Sequence, residues 1–245
     1  AEQVVADVLA SAFDSAGQRC SALRVLCLQE DIAERTLAML RGAMRELRVG
    51  RPDALRVDIG PVISAEAQAG IARHIEAMRA SGANVEQLPV PPETARGTFI
   101  SPTLIEIASI AQLTHEVFGP VLHVVRYRRE QLGELIDAIN ATGYGLTFGL
   151  HTRLDETIRQ VTARVRAGNL YVNRNTIGAV VGVQPFGGRG LSGTGPKAGG
   201  PLYLGRLTLD PPAPGLPGGE APPELAEFAA WLDALDETGR WALLK

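Results

Sequence analysis

The chain has 245 residues, and its 45% of hydrophobic residues is enough to bury a sizeable core in one large domain or two small ones. Its 24 Lys and Arg against 27 Asp and Glu give a formal net charge of −3 without a basic stripe, which argues against a nucleic-acid binder. No apolar run reaches the ~18 residues of a membrane span, and two Cys are too few for a disulfide scaffold or a thiolate zinc site. We therefore expect a reduced, cytoplasmic chain with no metal and no direct nucleic-acid or membrane segment.

Helical and extended patterns alternate along the chain. The spacing of apolar residues predicts amphipathic helices, whose apolar faces lie within residues 4–13, 32–47, 71–78, 132–139 and 154–165. Ser64 is a suitable N-cap for the third of these helices. Short apolar runs predict strands over 23–28, 99–107, 121–127, 146–152 and 169–173. Strands that alternate with helices of this length are typical of an α/β fold with a largely parallel sheet.

The 27 Gly and 16 Pro together make up about 18% of the chain, above a typical ~12%. Nine Gly lie within residues 178–200, and nine of the 13 residues 211–223 are Pro or Gly. We predict one domain over 1–209, a Pro/Gly-rich linker over 210–223 and an amphipathic helical tail over 224–245. A helical pattern starts at the first residue, Ala1, without an N-cap or a preceding segment, so we expect a piece of a longer chain.

One motif match is misleading. The segment Gly188–Gly193 fits G-x-G-x-x-G, the loop that binds pyrophosphate in dinucleotide-binding domains. That function requires a strand before the loop and a helix after it. Pro185-Phe186 come before it and Pro196 soon after, which excludes a helix there. We interpret the segment as a loop of another kind.

Cys20 is the candidate nucleophile, because it lies in a loop between a predicted helix and strand, which can present it at the mouth of a pocket. Arg19 beside it would favour the thiolate, the reactive form. On local sequence alone, a buried structural role for Cys20 remains open, and Cys27 in an apolar run is predicted to be core. A Cys–His hydrolase dyad also remains open, because the sequence does not exclude a histidine beside Cys20 in the fold. Separately, none of the histidines has the spacing of metal ligands. These histidines are His74, predicted exposed on a helix, with His115, His123 and His151.

Two further segments suit ligand binding. Glu116 and Phe118 lie two residues apart on an extended turn and point the same way, which suits a sugar hydroxyl beside a flat ring. Residues 173–182 are small, so their backbone N–H groups suit an anion such as a substrate carboxylate, and Phe186 follows on a Gly-rich backbone. Taken alone, each segment also fits a structural turn or connection without function.

Taken in order, these segments resemble the aldehyde dehydrogenase superfamily over about residues 1–208. The series runs Gly17-Gln-Arg-Cys20, Glu116-Val-Phe-Gly-Pro120, Asn169-Leu-Tyr-Val-Asn173, Pro185-Phe-Gly-Gly188 and Ser192-Gly193. Residues 11–24, 176–182 and 193–201 are most similar to the L-glutamate γ-semialdehyde dehydrogenase module of bacterial proline utilization A. The resemblance implies an α/β catalytic domain of the aldehyde dehydrogenase type, with helices flanking the sheet and a C-terminal arm.

The resemblance also implies a reaction, the NAD-dependent oxidation of L-glutamate γ-semialdehyde to L-glutamate in proline catabolism. Cys20 would attack the aldehyde to give a thiohemiacetal and, after hydride transfer, a thioester that water hydrolyses. The Cys20 backbone N–H would form part of the oxyanion hole. Glu116 would hold the nicotinamide ribose, with Phe118 packed nearby.

Substrate contacts follow from the same resemblance. Ser21, Gly178 and Ala179 would bind the substrate carboxylate, and Phe186 would cover its aliphatic chain. Residues Leu202–Leu209, apolar and strand-like, would pair with another subunit in a homo-oligomer.

Three parts of the family pattern would precede Ala1: a glutamate general base, an asparagine of the oxyanion hole and the NAD-binding domain. We therefore expect a catalytic half that is inactive alone, with an FAD-dependent proline dehydrogenase domain further upstream. Two alternatives remain, a non-catalytic module that assembles subunits or covers a tunnel, and an acyl-phosphate reductase of the same fold.

Overall fold

The computed structural model describes residues 1–207 and Ala234. The α-helices in that part are α1 (Glu2–Phe13), α2 (Glu30–Met44), α3 (Ala65–Ala80), α4 (Leu132–Ala141), α5 (Asp155–Arg164) and α6 (Tyr203–Arg206), and four short 3-10 helices accompany them. The strands are β1 (Val25–Gln29), β2 (Asn84–Gln87), β3 (Thr103–Glu106), β4 (Val121–Tyr127), β5 (Tyr144–Gly145), β6 (Thr147–Leu150), β7 (Asn169–Val172) and β8 (Arg189–Gly190). Among these described helices, none is long and apolar enough to cross a membrane.

A four-stranded sheet with the order β1-β4-β3-β2 organises the larger part of the structure. Strand β4 runs parallel to both β1 and β3, and only the edge strand β2 is antiparallel to its neighbour. Two smaller pairs complete the strands, with β6 parallel to β7 and β5 antiparallel to β8. The predicted α/β class with a largely parallel sheet is confirmed.

The central strands β3 and β4 carry the core. Consecutive residues of a strand point to opposite faces, and Val121 to Val125 are all buried, so both faces of β4 are covered. Helices α1 and α2 add large side chains that are almost fully buried, namely Phe13, Leu37 and Leu40. Each such side chain contributes about 1.5–3 kcal/mol through the hydrophobic effect.

The predicted elements appear with shifted ends, and three short strands, β2, β5 and β8, were not predicted. Ser64 is the N-cap of α3, and its side-chain oxygen accepts a hydrogen bond of 3.1 Å from the Ala67 N–H. Strand β2 was missed because its sequence, Asn-Val-Glu-Gln, is polar and lacks an apolar alternation. It forms because β3 offers it an open edge for antiparallel pairing.

The C-terminal predictions are only partly within the described residues. Where a strand was predicted over Leu202–Leu209, residues Tyr203–Arg206 form one helical turn, so that part of the prediction was wrong. A turn at Gly200 starts the helical turn, because the Tyr203 N–H donates to the Gly200 carbonyl oxygen at 3.1 Å. The predicted linker 210–223 and, apart from Ala234, the tail 224–245 lie outside the described residues.

A buried pair of histidines joins α3 to the sheet. The Nε2 atoms of His74 in α3 and His123 in β4 are 2.8 Å apart, and His123 Nδ1 lies 3.1 Å from the Arg24 carbonyl oxygen. Because a carbonyl only accepts, His123 Nδ1 carries the proton and His123 Nε2 accepts from His74 Nε2–H. The prediction that His74 is exposed was wrong, since α3 packs this face against β4 and leaves His74 only 9% exposed. Burial lowers the pKa of His123 to about 4 and also lowers the pKa of His74.

We expect the free energy of unfolding to rise with pH between about 4 and 6.5. In this range His123 binds a proton in the unfolded protein and not in the folded one. The free energy of unfolding is therefore lower at pH 4 than above pH 6.5, by roughly 2–3 kcal/mol. Urea unfolding at several pH values measures the slope. The His123→Gln variant, which cannot titrate, should lose this part of the slope, and equal slopes in both proteins would contradict the assignment.

Candidate active site

Cys20 lies in a sharply turned loop between α1 and β1. Ser15 and Ala16 adopt the left-handed backbone conformation at φ values of 56° and 54°, and Gly17 continues it at 65°. For residues other than glycine this conformation costs about 1 kcal/mol or more, and such strain is common at functional sites. The loop leaves Cys20 exposed, with its thiol free of any disulfide.

The backbone around Cys20 forms a tight turn. The Ala22 N–H donates to the Arg19 carbonyl oxygen at 3.0 Å, so Cys20 and Ser21 occupy the two central positions. In the described part of the chain, the backbone N–H groups of Cys20 and Ser21 donate to no acceptor. Two adjacent free N–H groups beside a thiol can stabilise an oxyanion formed by attack of that thiol.

The sheet brings the turn with Glu116 and Phe118 to the same place. Strands β1 and β4 are adjacent and parallel, and Val25 pairs with His123. Cys20 lies a few positions before Val25 in β1, and Glu116 lies a few positions before His123 in β4. The segments that lead into two parallel neighbours lie at one edge of the sheet, so these predicted site residues come together.

The two loops touch through glycine backbone. A Cβ atom added to Gly17 would lie 2.1 Å from the Gly119 carbonyl oxygen, far inside van der Waals contact. Gly17 is therefore required for two reasons, its left-handed φ and this close approach. Gly119 closes the turn that carries Glu116 and Phe118, which both remain partly exposed.

Arg24 joins the two loops electrostatically. Its Nη1 donates to the Gly17 carbonyl oxygen, its Nη2 to the Arg19 carbonyl oxygen at 3.0 Å, and its Nε to Glu116 Oε1 at 3.0 Å. The Arg24 Cζ also lies 4.4 Å from the centre of the Phe118 ring, a cation–π distance. The pKa of the Arg24 guanidinium is lowered, because the effect of burial outweighs the opposing effects of Glu116 and Cys20.

A third segment is fixed to the Cys20 loop from the other side. The Thr176 hydroxyl donates to the Ser21 carbonyl oxygen at 2.8 Å, and the Thr176 N–H donates to Ser11 Oγ at 3.1 Å. Gly178 and Ala179, predicted to bind a carboxylate, follow two and three residues later and are half-buried and exposed. The structure therefore places this loop beside Ser21.

Phe186 is not linked to the Cys20 loop in the described residues by any hydrogen bond or ring contact. Its backbone pairs with Ala198, and the Asn169 side chain holds the flanking Pro185 carbonyl and Gly187 N–H at 3.0 and 3.1 Å. The ring is half-buried. Its proposed contact with substrate stays a prediction.

The histidines do not support a Cys–His hydrolase. Within residues 1–207, no imidazole hydrogen-bonds Cys20. His74 pairs with His123, His115 lies 3.1 Å from the Thr114 hydroxyl, and His151 lies 3.6 Å from Asp7. The described residues contain no group of three or more side chains arranged to hold a metal ion. Cys27 is partly buried and packs against the core, and burial raises the pKa of its thiol to about 12.

The structure also contains a cavity of about 770 Å³ away from these residues. Its walls come from segments 45–57 and 88–93, and none of the predicted site residues lines it. The chemistry-bearing side chains instead lie on loops at the sheet edge. We therefore assign the site by its side chains and not by the cavity.

Arg24 and Thr176 were missed by sequence reasoning. Thr176 looked like one small residue among several. Arg24 had a detectable signal, because it is a charged residue at the start of an apolar strand, four positions after the candidate nucleophile. A charge in such a place usually needs a partner, but the partner is about 90 residues away in sequence and was not identifiable.

Comparison with known proteins identifies a family and several relatives. A model of the aldehyde dehydrogenase family matches residues 1–208. The bifunctional protein PutA of Salmonella typhimurium is 68% identical over 216 residues, which are 86% of this chain and 16% of that protein. The chain therefore spans about a sixth of the length of this relative.

Solved structures agree with this assignment. A crystal structure of proline utilization A from Bradyrhizobium japonicum has a TM-score of 0.79 at 55% identity and covers 83% of this chain and 20% of its own. A structure of 1-pyrroline-5-carboxylate dehydrogenase from Thermus with bound NAD has a TM-score of 0.75 at 36% identity, covering 84% and 39%.

We expect Gly17→Ala to destabilise the protein much more than Gly82→Ala. Both glycines have positive φ, at 65° and 85°, but a Cβ at Gly82 meets nothing within 4 Å. The control should lose about 1 kcal/mol from the backbone alone, and Gly17→Ala about 3 kcal/mol or more because the loops must separate. Urea unfolding gives both values, and equal losses would refute the close contact between the loops.

Proposed function

The chain belongs to the aldehyde dehydrogenase family, and from this premise we propose that it carries the nucleophile of an NAD-dependent dehydrogenase that oxidises L-glutamate γ-semialdehyde to L-glutamate. One observation carries the proposal: Arg24 joins the exposed Cys20 loop to the carboxylate of Glu116. The names of the relatives support the substrate, because 1-pyrroline-5-carboxylate is the cyclic imine of this semialdehyde.

Cys20 performs the covalent steps. Its thiolate attacks the aldehyde carbon, and the negative charge that develops on the aldehyde oxygen is stabilised by the free backbone N–H of Cys20. Ser21 keeps its predicted role as a ligand of the substrate carboxylate. When this oxyanion collapses, hydride leaves the carbon and a thioester remains on Cys20. Water then hydrolyses the thioester to the carboxylate product and the free thiol. The base for this last step stays the sequence-based prediction, a glutamate upstream of Ala1.

Glu116 and Phe118 fit the nicotinamide ribose end of a dinucleotide. NAD, when bound, supplies the acceptor for the hydride. Arg24 Nε donates a hydrogen bond to Glu116 Oε1. The other carboxylate oxygen, Oε2, accepts no hydrogen bond in the described part of the chain, so Oε2 is available to ribose hydroxyls. Phe118 keeps 43% of its surface exposed beside it, which suits packing against a sugar or a base.

The loop that follows Thr176 fits the substrate carboxylate. Small side chains at Gly178 and Ala179 leave backbone N–H groups accessible, and the bond from Thr176 to Ser21 holds this loop beside the nucleophile. Phe186 would cover the methylene chain between the carboxylate and the aldehyde.

Further proposals concern the complete protein. The first relative is named bifunctional, and this chain spans 16% of its length. We propose an adjoining NAD-binding domain, an FAD-dependent proline dehydrogenase domain and a homo-oligomer in the cytoplasm. The relatives named bifunctional protein PutA and 1-pyrroline-5-carboxylate dehydrogenase favour the semialdehyde dehydrogenase over the assembly module and the acyl-phosphate reductase.

In the complete protein, Cys20→Ala should lower the rate of NADH formation with L-glutamate γ-semialdehyde by about 1000-fold or more, because the covalent intermediate cannot form. The matched control is Cys27→Ala, since burial keeps that thiol protonated at neutral pH. Absorbance of NADH measures both rates. Retained activity in Cys20→Ala would rule out the proposed nucleophile.

Glu116→Gln should raise the KM for NAD by about 10-fold or more, because hydrogen bonds from ribose hydroxyls to a charged carboxylate become bonds to a neutral amide. Initial rates at varied NAD concentration give this value. Glu93→Gln, at an exposed glutamate on another segment, is the control. If the KM for NAD is the same in all three proteins, Glu116 does not bind the cofactor.

A further inference from the structure

We propose that Arg24 is a positioning residue that aims the Cys20 backbone N–H at the reacting oxygen and ties this donor to Glu116. The inference deepens the proposed function, because it rests on Cys20 as the nucleophile. Arg24 is well suited to this role by its burial, with only 16% of its side chain exposed, and by three hydrogen bonds to two different loops.

The geometry of one peptide unit carries the first step. The Arg19 carbonyl and the Cys20 N–H belong to the same planar trans peptide, so they point in opposite directions. Arg24 Nη2 donates to the Arg19 oxygen at 3.0 Å, and the Ala22 N–H donates to the same oxygen at 3.0 Å. With the oxygen held by two donors, the peptide plane cannot rotate and the Cys20 N–H direction is fixed.

Charge adds to this orientation. A cationic donor on a carbonyl oxygen draws electron density from the peptide nitrogen and makes the attached N–H a stronger donor. The peptide of Cys20 receives this polarisation on one side and presents its free N–H on the other. Arg24 thus acts on the oxyanion through the peptide and touches no reacting atom.

A guanidinium is needed because the three acceptors lie around it. The carbonyl oxygens of Gly17 and Arg19 and the carboxylate of Glu116 bond to three different nitrogens of one planar group. Lysine places all its donors on a single nitrogen and cannot match this fork. Lysine at this position would keep the charge and lose the orientation.

The backbone of Arg24 is held as firmly as its side chain. Its carbonyl oxygen accepts the His123 backbone N–H at 3.0 Å and the His123 ring Nδ1–H at 3.1 Å. His123 belongs to β4, the centre of the sheet. Arg24 therefore connects the peptide of Cys20 to the core, with hydrogen bonds from its side chain on one side and to its backbone carbonyl on the other.

The test uses two reagents that require Cys20 in different ways. p-Nitrophenyl acetate acylates the thiolate through a tetrahedral oxyanion: the S–C bond forms, the C–O bond breaks and p-nitrophenolate leaves, without NAD. Iodoacetamide alkylates the same thiolate with loss of iodide and forms no oxyanion. The ratio of the two rates reports the oxyanion donor separately from thiolate content, accessibility and folding.

We expect Arg24→Lys in the complete protein to lower the acylation rate by about 10- to 100-fold, as for a damaged oxyanion hole, with little change in alkylation. Arg45→Lys, at an exposed arginine after α2, is the matched control, and Cys20→Ala gives the background. If Arg24→Lys does not fold, Arg24→Gln, which keeps one donor nitrogen but not the charge or the fork, is measured in the same way.

Three outcomes would overturn the proposal. They are an unchanged acylation rate, an equal loss in both reactions, which indicates a merely structural role, and a wild-type protein that alkylates but does not acylate. Neither reagent resembles L-glutamate γ-semialdehyde. Failure of the wild-type protein to oxidise that aldehyde would therefore refute the proposed substrate and leave the role of Arg24 standing.

Discussion

The hydrogen bonds of one half-buried guanidinium are the constraint on which the site depends. Arg24 bonds the carbonyls of Gly17 and Arg19 on the Cys20 loop and the carboxylate of Glu116 on the facing turn. Removing a charged group from water is costly, and this cost is offset only while all its partners are in place. The nucleophile and the cofactor-binding carboxylate are therefore fixed together, and neither loop can shift alone.

The sheet makes this arrangement possible. Strands β1 and β4 are parallel neighbours in the core, so the segments that enter them begin at one edge. Tight packing then sets the distance between the loops, since Gly17 approaches the Gly119 backbone more closely than any side chain allows. The buried histidine pair anchors the same region, because His123 bonds the Arg24 carbonyl while His74 holds His123 from α3.

Much of the fold and part of the site could be predicted from local pattern. Apolar periodicity located the main helices and strands, and the loop between a helix and a strand identified Cys20 as the candidate nucleophile, whose exposure the structure then showed. Polar strand β2 was missed because its pairing with β3, and not its own composition, makes it a strand. His74 was expected to be exposed because its helix neighbours are charged, whereas its partner His123 is 49 residues away.

The sequence by itself determined the class of the fold, the candidate nucleophile and the resemblance to the aldehyde dehydrogenase family, because these rest on residue types and short spacings. Only the tertiary structure decided which residues act together. The bond between Arg24 and Glu116 spans 92 positions, and that between Thr176 and Ser21 spans 155. Such partners meet only when the parallel sheet folds, since no local pattern encodes a contact between distant loops.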